Sequence, residues 1–257
     1  MNATALPTKD EIIRLKGQHL NESDTKRILI DRTLQSLGWD TLNVAEVKNE
    51  YRHKPGDNPV DYALFPSGKP ILIEAKGLEE PVPDRKHVCQ LLMYSVAAGS
   101  KWCVLTNGDE WIIYNATGPG DIEIEDKVFR HIKLSTGEQA EWLFLLQKDK
   151  VQDAALDVLW ETETTGKQIV QWFSDVFKTA DKRLLRLIRK AHPNLPLKAV
   201  KDVLLRLTVS LPSLNGLIKM TGGQSSGTGQ TVPTTAPRRT RASGKGTYTL
   251  TMYGQTT

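Results

Sequence analysis

The chain has 257 residues, 39% hydrophobic and 25% charged, an ordinary globular mixture able to bury a core. No stretch approaches the roughly 18 apolar residues that span a bilayer, and the start, MNATALPTKDEII, has neither the basic opening nor the apolar run of a secretory signal. The net charge of +4 hides an asymmetry: from Lys178 onward fourteen Lys or Arg stand against Asp181 and Asp202, leaving −8 on residues 1–177 and +12 beyond. Such a division points to a polyanionic partner. Cys89 and Cys103 cannot build a disulfide framework and are expected as buried thiols in a reducing cytoplasm.

In chain order, residues 8–20 read as a weakly amphipathic helix. A clearer helix runs over 23–37, with Asn21 or Ser23 as N-cap, Ile28, Leu29, Leu34 and Leu37 at helical spacing, and Gly38 as the stop. Three strands follow, at 42–51, 60–65 and 70–75, the last two joined by the turn Pro66-Ser67-Gly68-Lys69. A helix at 84–98 crosses to a strand at 101–106. Asn107-Gly108 then forms a hairpin, because both positions favour φ > 0, and 111–115 returns. Ile122 and Ile124 alternate with acids and read as an edge strand, and 138–147 reads as a helix. Helical patterns follow at 153–160, 167–191 and 197–209. From Thr221 onward Gly, Ser, Thr and Pro dominate, so 221–257 is expected to be a disordered tail. The expected organisation is an α/β domain over 1–150, a basic helical region over 151–220 and that tail.

The chemistry concentrates in Pro59-Val60-Asp61-Tyr62-Ala63-Leu64-Phe65 and Pro70-Ile71-Leu72-Ile73-Glu74-Ala75-Lys76. Side chains alternate along a strand, so Glu74 and Lys76 point one way while Ile71, Ile73 and Ala75 point the other. A hairpin brings Asp61, at the start of its strand, beside Glu74 and Lys76. Burying such charges unpaired is costly. An ion pair between Glu74 and Lys76 would answer part of that cost. A divalent metal answers more of it, since hard carboxylate oxygens, a backbone carbonyl and water suit Mg²⁺. A lysine beside that metal could orient or deprotonate water for phosphodiester hydrolysis.

The Asp61…Glu74-Ala75-Lys76 pattern resembles the PD-(D/E)xK nuclease superfamily. More narrowly, it is similar to the N-terminal nuclease domain of type I restriction enzyme R subunits (HsdR). Thr25-Lys26, Leu29-Ile30-Asp31 and Leu37-Gly38-Trp39-Asp40 look like that family's opening helix and Gly-Trp exit. Gln90-Leu91-Leu92-Met93-Tyr94 matches its QxxxY motif, and Leu105-Thr106-Asn107-Gly108 its next strand and turn. The likeness covers about residues 20–115. It departs from the pattern where Val60 separates Pro59 from Asp61.

The resemblance implies a restriction-endonuclease-like α-β-β-β-α-β core with a mixed sheet. It further implies that Asp61 and Glu74 bind Mg²⁺, with Mn²⁺ able to substitute, and that Lys76 is the catalytic lysine. Gln90 and Tyr94 would lie on one helical face, either contacting DNA or supporting the hairpin. An acid on the opening helix often completes such sites. Glu22 is the choice here, with Asp31 and Glu50 as rivals.

The chain is too short for a helicase motor and contains no GxxxxGK[ST], so ATP-driven translocation is not expected. Lys182, Arg183, Arg186, Arg189 and Lys190 form a basic amphipathic helix. It could lie on a duplex backbone, dock on the acidic body, or dimerise. The leading expectation is a metal-dependent DNA endonuclease without a membrane partner, acting alone, as a homo-oligomer, or with a specificity or motor subunit. The alternatives are a catalytically silent nuclease-like module binding nucleic acid or protein in a defence or mobile-element system, or a nuclease acting on RNA or branched DNA.

Overall fold

The computed structural model describes residues 5–117, 123–210 and, as backbone, 248–251. These residues fall into two units, 1–160 and 161–257. No helix among them is long and apolar enough to cross a membrane.

The first unit opens with α1 (Lys9–Lys16), fixed by a reciprocal capping box between Thr8 and Glu11. The predicted opening helix is one continuous rod in three parts: α2 (Glu22–Thr25), a π-turn (Lys26–Ile30) and α3 (Asp31–Ser36). Of the two candidate caps the structure uses Asn21, whose carboxamide oxygen accepts the Asp24 N–H at 2.8 Å. Gly38, at φ +88°, ends the rod in the left-handed region. The Trp39 indole then donates to the Leu146 carbonyl at 2.8 Å.

Six strands make one mixed sheet in sequence order: β1 (Val47–Tyr51), β2 (Val60–Leu64), β3 (Ile71–Ala75), β4 (Trp102–Thr106), β5 (Glu110–Asn115) and β6 (Val128–Lys133). Every pairing is antiparallel except β3–β4, which runs parallel because α4 (Arg85–Ala97) carries the chain across. On one face Ala63, Leu72, Cys103, Leu105 and Ile112 pack against Val88, Leu91 and Leu92 of α4. Another cluster joins Ile12, Leu15 and Leu29 of the helical segment to Leu78. Strand β4 is buried throughout, which is why its sequence is a continuous apolar run rather than an alternating one.

The structure departs from the sequence reading at several points. The edge strand is 128–133; residues 124–127 are a 3₁₀ turn, and 121–122 lie outside the described residues. Acids alternating with Ile122 and Ile124 imitate a strand. The real one hides behind Arg130 and His131, while Phe129 and Ile132 supply the buried side chains. The segment Ala140–Leu146 is a 3₁₀ helix, with Trp142, Leu143, Leu145 and Leu146 all buried, too apolar all round for an amphipathic α-helix. Cys89 is half-buried rather than buried, whereas burial pushes the fully enclosed Cys103 thiol up to about 12.

After α5 (Lys148–Gln152) comes α6 (Ala155–Lys178), 24 residues that merge two predicted helices across Gly166. In the first unit, Trp160 packs edge-on against Trp102 and Phe129. The expected helix 167–191 breaks at Ala180, whose φ is +46°. Asp181 then caps α7 (Lys182–Ala191). α8 (Leu197–Leu204) stops before β7 (Leu207–Ser210). Phe177, Leu185, Val200, Leu204 and Val209 form the core of this second unit. Within 221–257 only Tyr248–Thr251 is described. It forms β8, parallel to β7; the remainder of the expected tail lies outside the described residues.

The β4–β5 turn is tied down by charge. Asp109, with a fully buried side chain, meets Lys16 Nζ at 2.5 Å and accepts the Ser135 N–H and hydroxyl at 2.7 and 2.8 Å. Burial alone would raise its pKa, but these three donors hold it below the ordinary 3.8. A depressed folded pKa stabilises at neutral pH, and the contribution is lost as pH falls below about 4. Asp109→Asn should therefore cost about 3 kcal/mol at pH 7, and the gap to wild type should shrink on acidification, as urea unfolding at both pH values will show.

Candidate active site

Pairing of Tyr62 with Ile73 sets the next outward positions, Asp61 and Glu74, across from each other at the open end of the β2–β3 hairpin. The Ala75 N–H donates to Asp61 Oδ2 at 2.6 Å, anchoring one carboxylate oxygen to the neighbouring backbone. Two positions beyond Glu74, Lys76 is pinned where β3 leaves the ladder, its amide donating to the Thr106 carbonyl at 2.8 Å. The Lys76 ammonium meets Glu74 Oε1 at 2.8 Å and Glu22 Oε2 at 4.0 Å. Asp61, Glu74 and Lys76 thus share one end of one hairpin, with Glu22 reaching them from the opening helix.

The motifs around this triplet are what hold it. The Thr25 hydroxyl accepts the Leu78 N–H at 3.1 Å. The Asn107 carboxamide donates to the Glu80 carbonyl at 3.0 Å and accepts the Asp109 and Glu110 N–H groups at 3.1 and 2.8 Å. Gly108, at φ +84°, lies so close to the opening helix that an added Cβ would meet Leu29 at 3.0 Å. The segment leaving Lys76 is therefore clamped from two sides.

A residue outside the sequence-level candidate set completes the cluster. Lys26, first in the π-turn, bonds Asp61 Oδ1 and Glu22 Oε1 (2.9 Å) and lies 3.8 Å from Glu50. Burial would lower its pKa, yet hydrogen bonds to Asp61 and Glu22 carry it above the ordinary lysine range. Burial pushes the Glu74 carboxyl up, Lys76 opposes that shift, and Asp61 and Glu22 add to it. Lys76 resembles Lys26: burial lowers it, and Glu74 more than restores it. The sequence carried one signal for Lys26, its i+4 spacing from Glu22. The π-turn that aims it is set by tertiary packing; such turns often mark functional sites.

Of the rival acids, Glu50 stays at the edge of the cluster. Asp31 does not join it: it bonds the Tyr62 hydroxyl, burial raises its pKa, and its Oδ1 has no partner. Gln90 lines a cleft of about 510 Å³ together with Glu74, Lys76 and His87. Tyr94 also lines it, but its hydroxyl accepts the His53 N–H at 2.6 Å and donates to the Tyr51 carbonyl at 3.3 Å, bracing the exit of β1. Lys182, Arg183, Arg186, Arg189 and Lys190 all lie on α7 in the second unit.

Among the described residues no three Asp, Glu, His or Cys side chains converge on a common point. Asp61 and Glu74 nevertheless present two hard oxygen donors across the hairpin. Four carboxylates against two ammonium groups leave the cluster at −2, which suits a divalent cation held by two carboxylates and completed by water and phosphate.

No family model matches this chain, and no curated protein matches it. One solved structure is similar, a fragment assigned as an HsdR subunit of a type I restriction enzyme from Vibrio vulnificus YJ016. It is 23% identical with a TM-score of 0.33, over 48% of this chain and 25% of that one. The present chain thus spans about a quarter of that protein's length.

If Lys26 is the counter-ion of Asp61, Lys26→Met should cost about 2 kcal/mol, because it leaves the carboxylate half-buried beside Glu74. Asp61→Asn should suppress most of that loss in the double variant. A thermal double-mutant cycle giving additive effects would show that the two do not act as a pair.

Proposed function

We propose that the first unit is a metal-dependent endonuclease of the PD-(D/E)xK type, hydrolysing phosphodiester bonds in DNA and similar to the nuclease domain of type I restriction enzyme R subunits. The observation that carries this reading is the placement of Asp61, Glu74 and Lys76 at one hairpin end, with Glu74 and Lys76 opening onto a cleft. In its support stands a mixed sheet in which an antiparallel β1–β2–β3 meander is followed by α4 and a parallel β4.

In this reading Asp61 and Glu74 hold Mg²⁺, or Mn²⁺ in its place. The ion supplies positive charge against the phosphate oxygens and acidity to nearby water. Lys76, itself oriented by Glu74, holds the attacking water or a phosphate oxygen. Glu22 sets the position of both lysines, and Gln90 on the opposite wall of the cleft contacts the DNA. In this reading specificity or translocation is supplied by a partner subunit.

One observation favours the alternative, a catalytically silent nuclease-like binding module: Lys26 already pairs with both Asp61 and Glu22.

The test is cleavage of supercoiled plasmid and linear single-stranded DNA with Mg²⁺, Mn²⁺ or EDTA. Asp61→Asn and Lys76→Ala should each reduce metal-dependent cutting about 10²–10³-fold. Cutting that persists in EDTA, or in both variants, overturns the assignment. If wild type does not cut, calorimetric Mg²⁺ binding that is lost in Asp61→Asn and Glu74→Gln identifies a nuclease awaiting its partner. No binding leaves the silent module.

A further inference from the structure

In the second unit the end of α6, the first turns of α7 and the end of α8 line a cleft of about 760 Å³. Five cations line it: Lys178, Lys182, Arg183, Arg186 and Lys201. The lining contains a single acid, Asp181, and that carboxylate is committed. It accepts the N–H groups of Arg183 at 2.7 Å and Leu184 at 3.2 Å, capping α7. Among the described residues none of the five cations forms an ion pair.

Their placement runs against local electrostatics. Lys182 and Arg183 occupy the first turn of α7, which contains no acid, so two cations sit at the positive end of the helix dipole. α4 begins in the same way, with Arg85 and Lys86 behind the Asp84 cap, so what sets α7 apart is the gathering of five cations in one cleft. Concave walls, five unpaired cations and a helix N-terminus all add positive potential in one place.

The shape of the charge identifies its occupant. Arg189 and Lys190 continue the exposed basic face to the far end of α7, about 15 Å away, so the surface suits an extended polyanion better than one phosphate. An anionic membrane would need a free apolar face beside the cations. Here Leu184, Leu185 and Ile188 pack against Phe177, Val200 and Leu204, leaving Leu187 as the one exposed large apolar residue of α7 and Leu205 as the one in the cleft lining.

We propose that this cleft seats the phosphodiester backbone of nucleic acid through Lys178, Lys182, Arg183, Arg186 and Lys201, without reading bases. Contacts of this kind give affinity and orientation but no sequence preference. The proposal goes beyond the nuclease reading and needs nothing from Asp61, Glu74 or Lys76.

The test is fluorescence anisotropy of a labelled duplex with the full chain in EDTA, where no metal-dependent cutting occurs. Lys182→Gln/Arg183→Gln/Arg186→Gln should raise Kd at least about tenfold and lower the slope of log K against log salt by about 2–3. A control that removes three exposed cations elsewhere, Lys9→Gln/Arg14→Gln/Lys167→Gln, should stay within about twofold of wild type. Circular dichroism checks folding. Should the triple variant unfold, Arg186→Gln/Lys201→Gln, which spares the α7 cap, carries the test with the same direction of change. Because binding is read in EDTA, without cutting, its outcome is separate from the fate of the nuclease reading. The proposal is overturned if the cleft variant binds like the control. It is also overturned if phosphatidylserine vesicles depend on these residues and the duplex does not.

Discussion

Glu74 and Lys76 stand at the end of a strand whose other residues are all buried, and two such charges persist there only in mutual contact. The 2.8 Å bond between them is the smallest unit of the solution, but neither partner could hold its place alone. Lys76 is located by its backbone bond to Thr106, and that bond exists because β3 and β4 run parallel. The parallel pairing in turn requires α4 as a crossover, and α4 forms the far wall of the cleft. The sheet topology and the charged cluster are one constraint seen at two scales.

The same logic explains the opening helix. Asp61 adds a third charge to the hairpin end, and its oxygens are divided between the Ala75 N–H and Lys26. Lys26 is delivered by a π-turn in a rod whose other face contributes Leu29 to a cluster with Ile12, Leu15 and Leu78. A rod that packs on one side and neutralises the site on the other cannot shift without disturbing both. Two lysines among four carboxylates make the cluster stable as a set of ion pairs and still leave it acidic.

The second unit poses the converse problem. Its core of Phe177, Leu185, Val200, Leu204 and Val209 is small, and the cleft beside it is lined by five cations and one acid, Asp181, which caps α7. Polar solvation tolerates this on a convex surface. In a concave one, beside a helix N-terminus, like charges reinforce each other and the surface is poised for an anion. The acidic first unit and the basic second unit thus divide the chain into regions with opposite electrostatic tasks, one suited to a cation and one to a polyanion.

Much of this was legible in one dimension. Asp61, Glu74 and Lys76 could be placed at one hairpin end because the side-chain period of a strand is two and the turn at 66–69 sets the register. The opening helix, expected over 23–37 from its cap and the Gly38 stop, is found at 22–36, because such signals act locally. Other features were not legible, because they depend on what lies opposite. Alternation at 122–125 looked like an edge strand, yet only pairing with β5 could select 128–133. Periodicity at 138–147 looked helical, yet the segment with Trp142, Leu143, Leu145 and Leu146 buried is 3₁₀. Lys26 belonged to the opening-helix resemblance without a role in the site, and Lys201 entered only the count of C-terminal charge. The sequence by itself determined residue types, local periods and the sign of charge along the chain, since each depends on near neighbours. Only the tertiary structure decided which charges meet, because Lys26 and Asp61 are 35 residues apart, and Lys178 and Lys201 line one cleft from different helices.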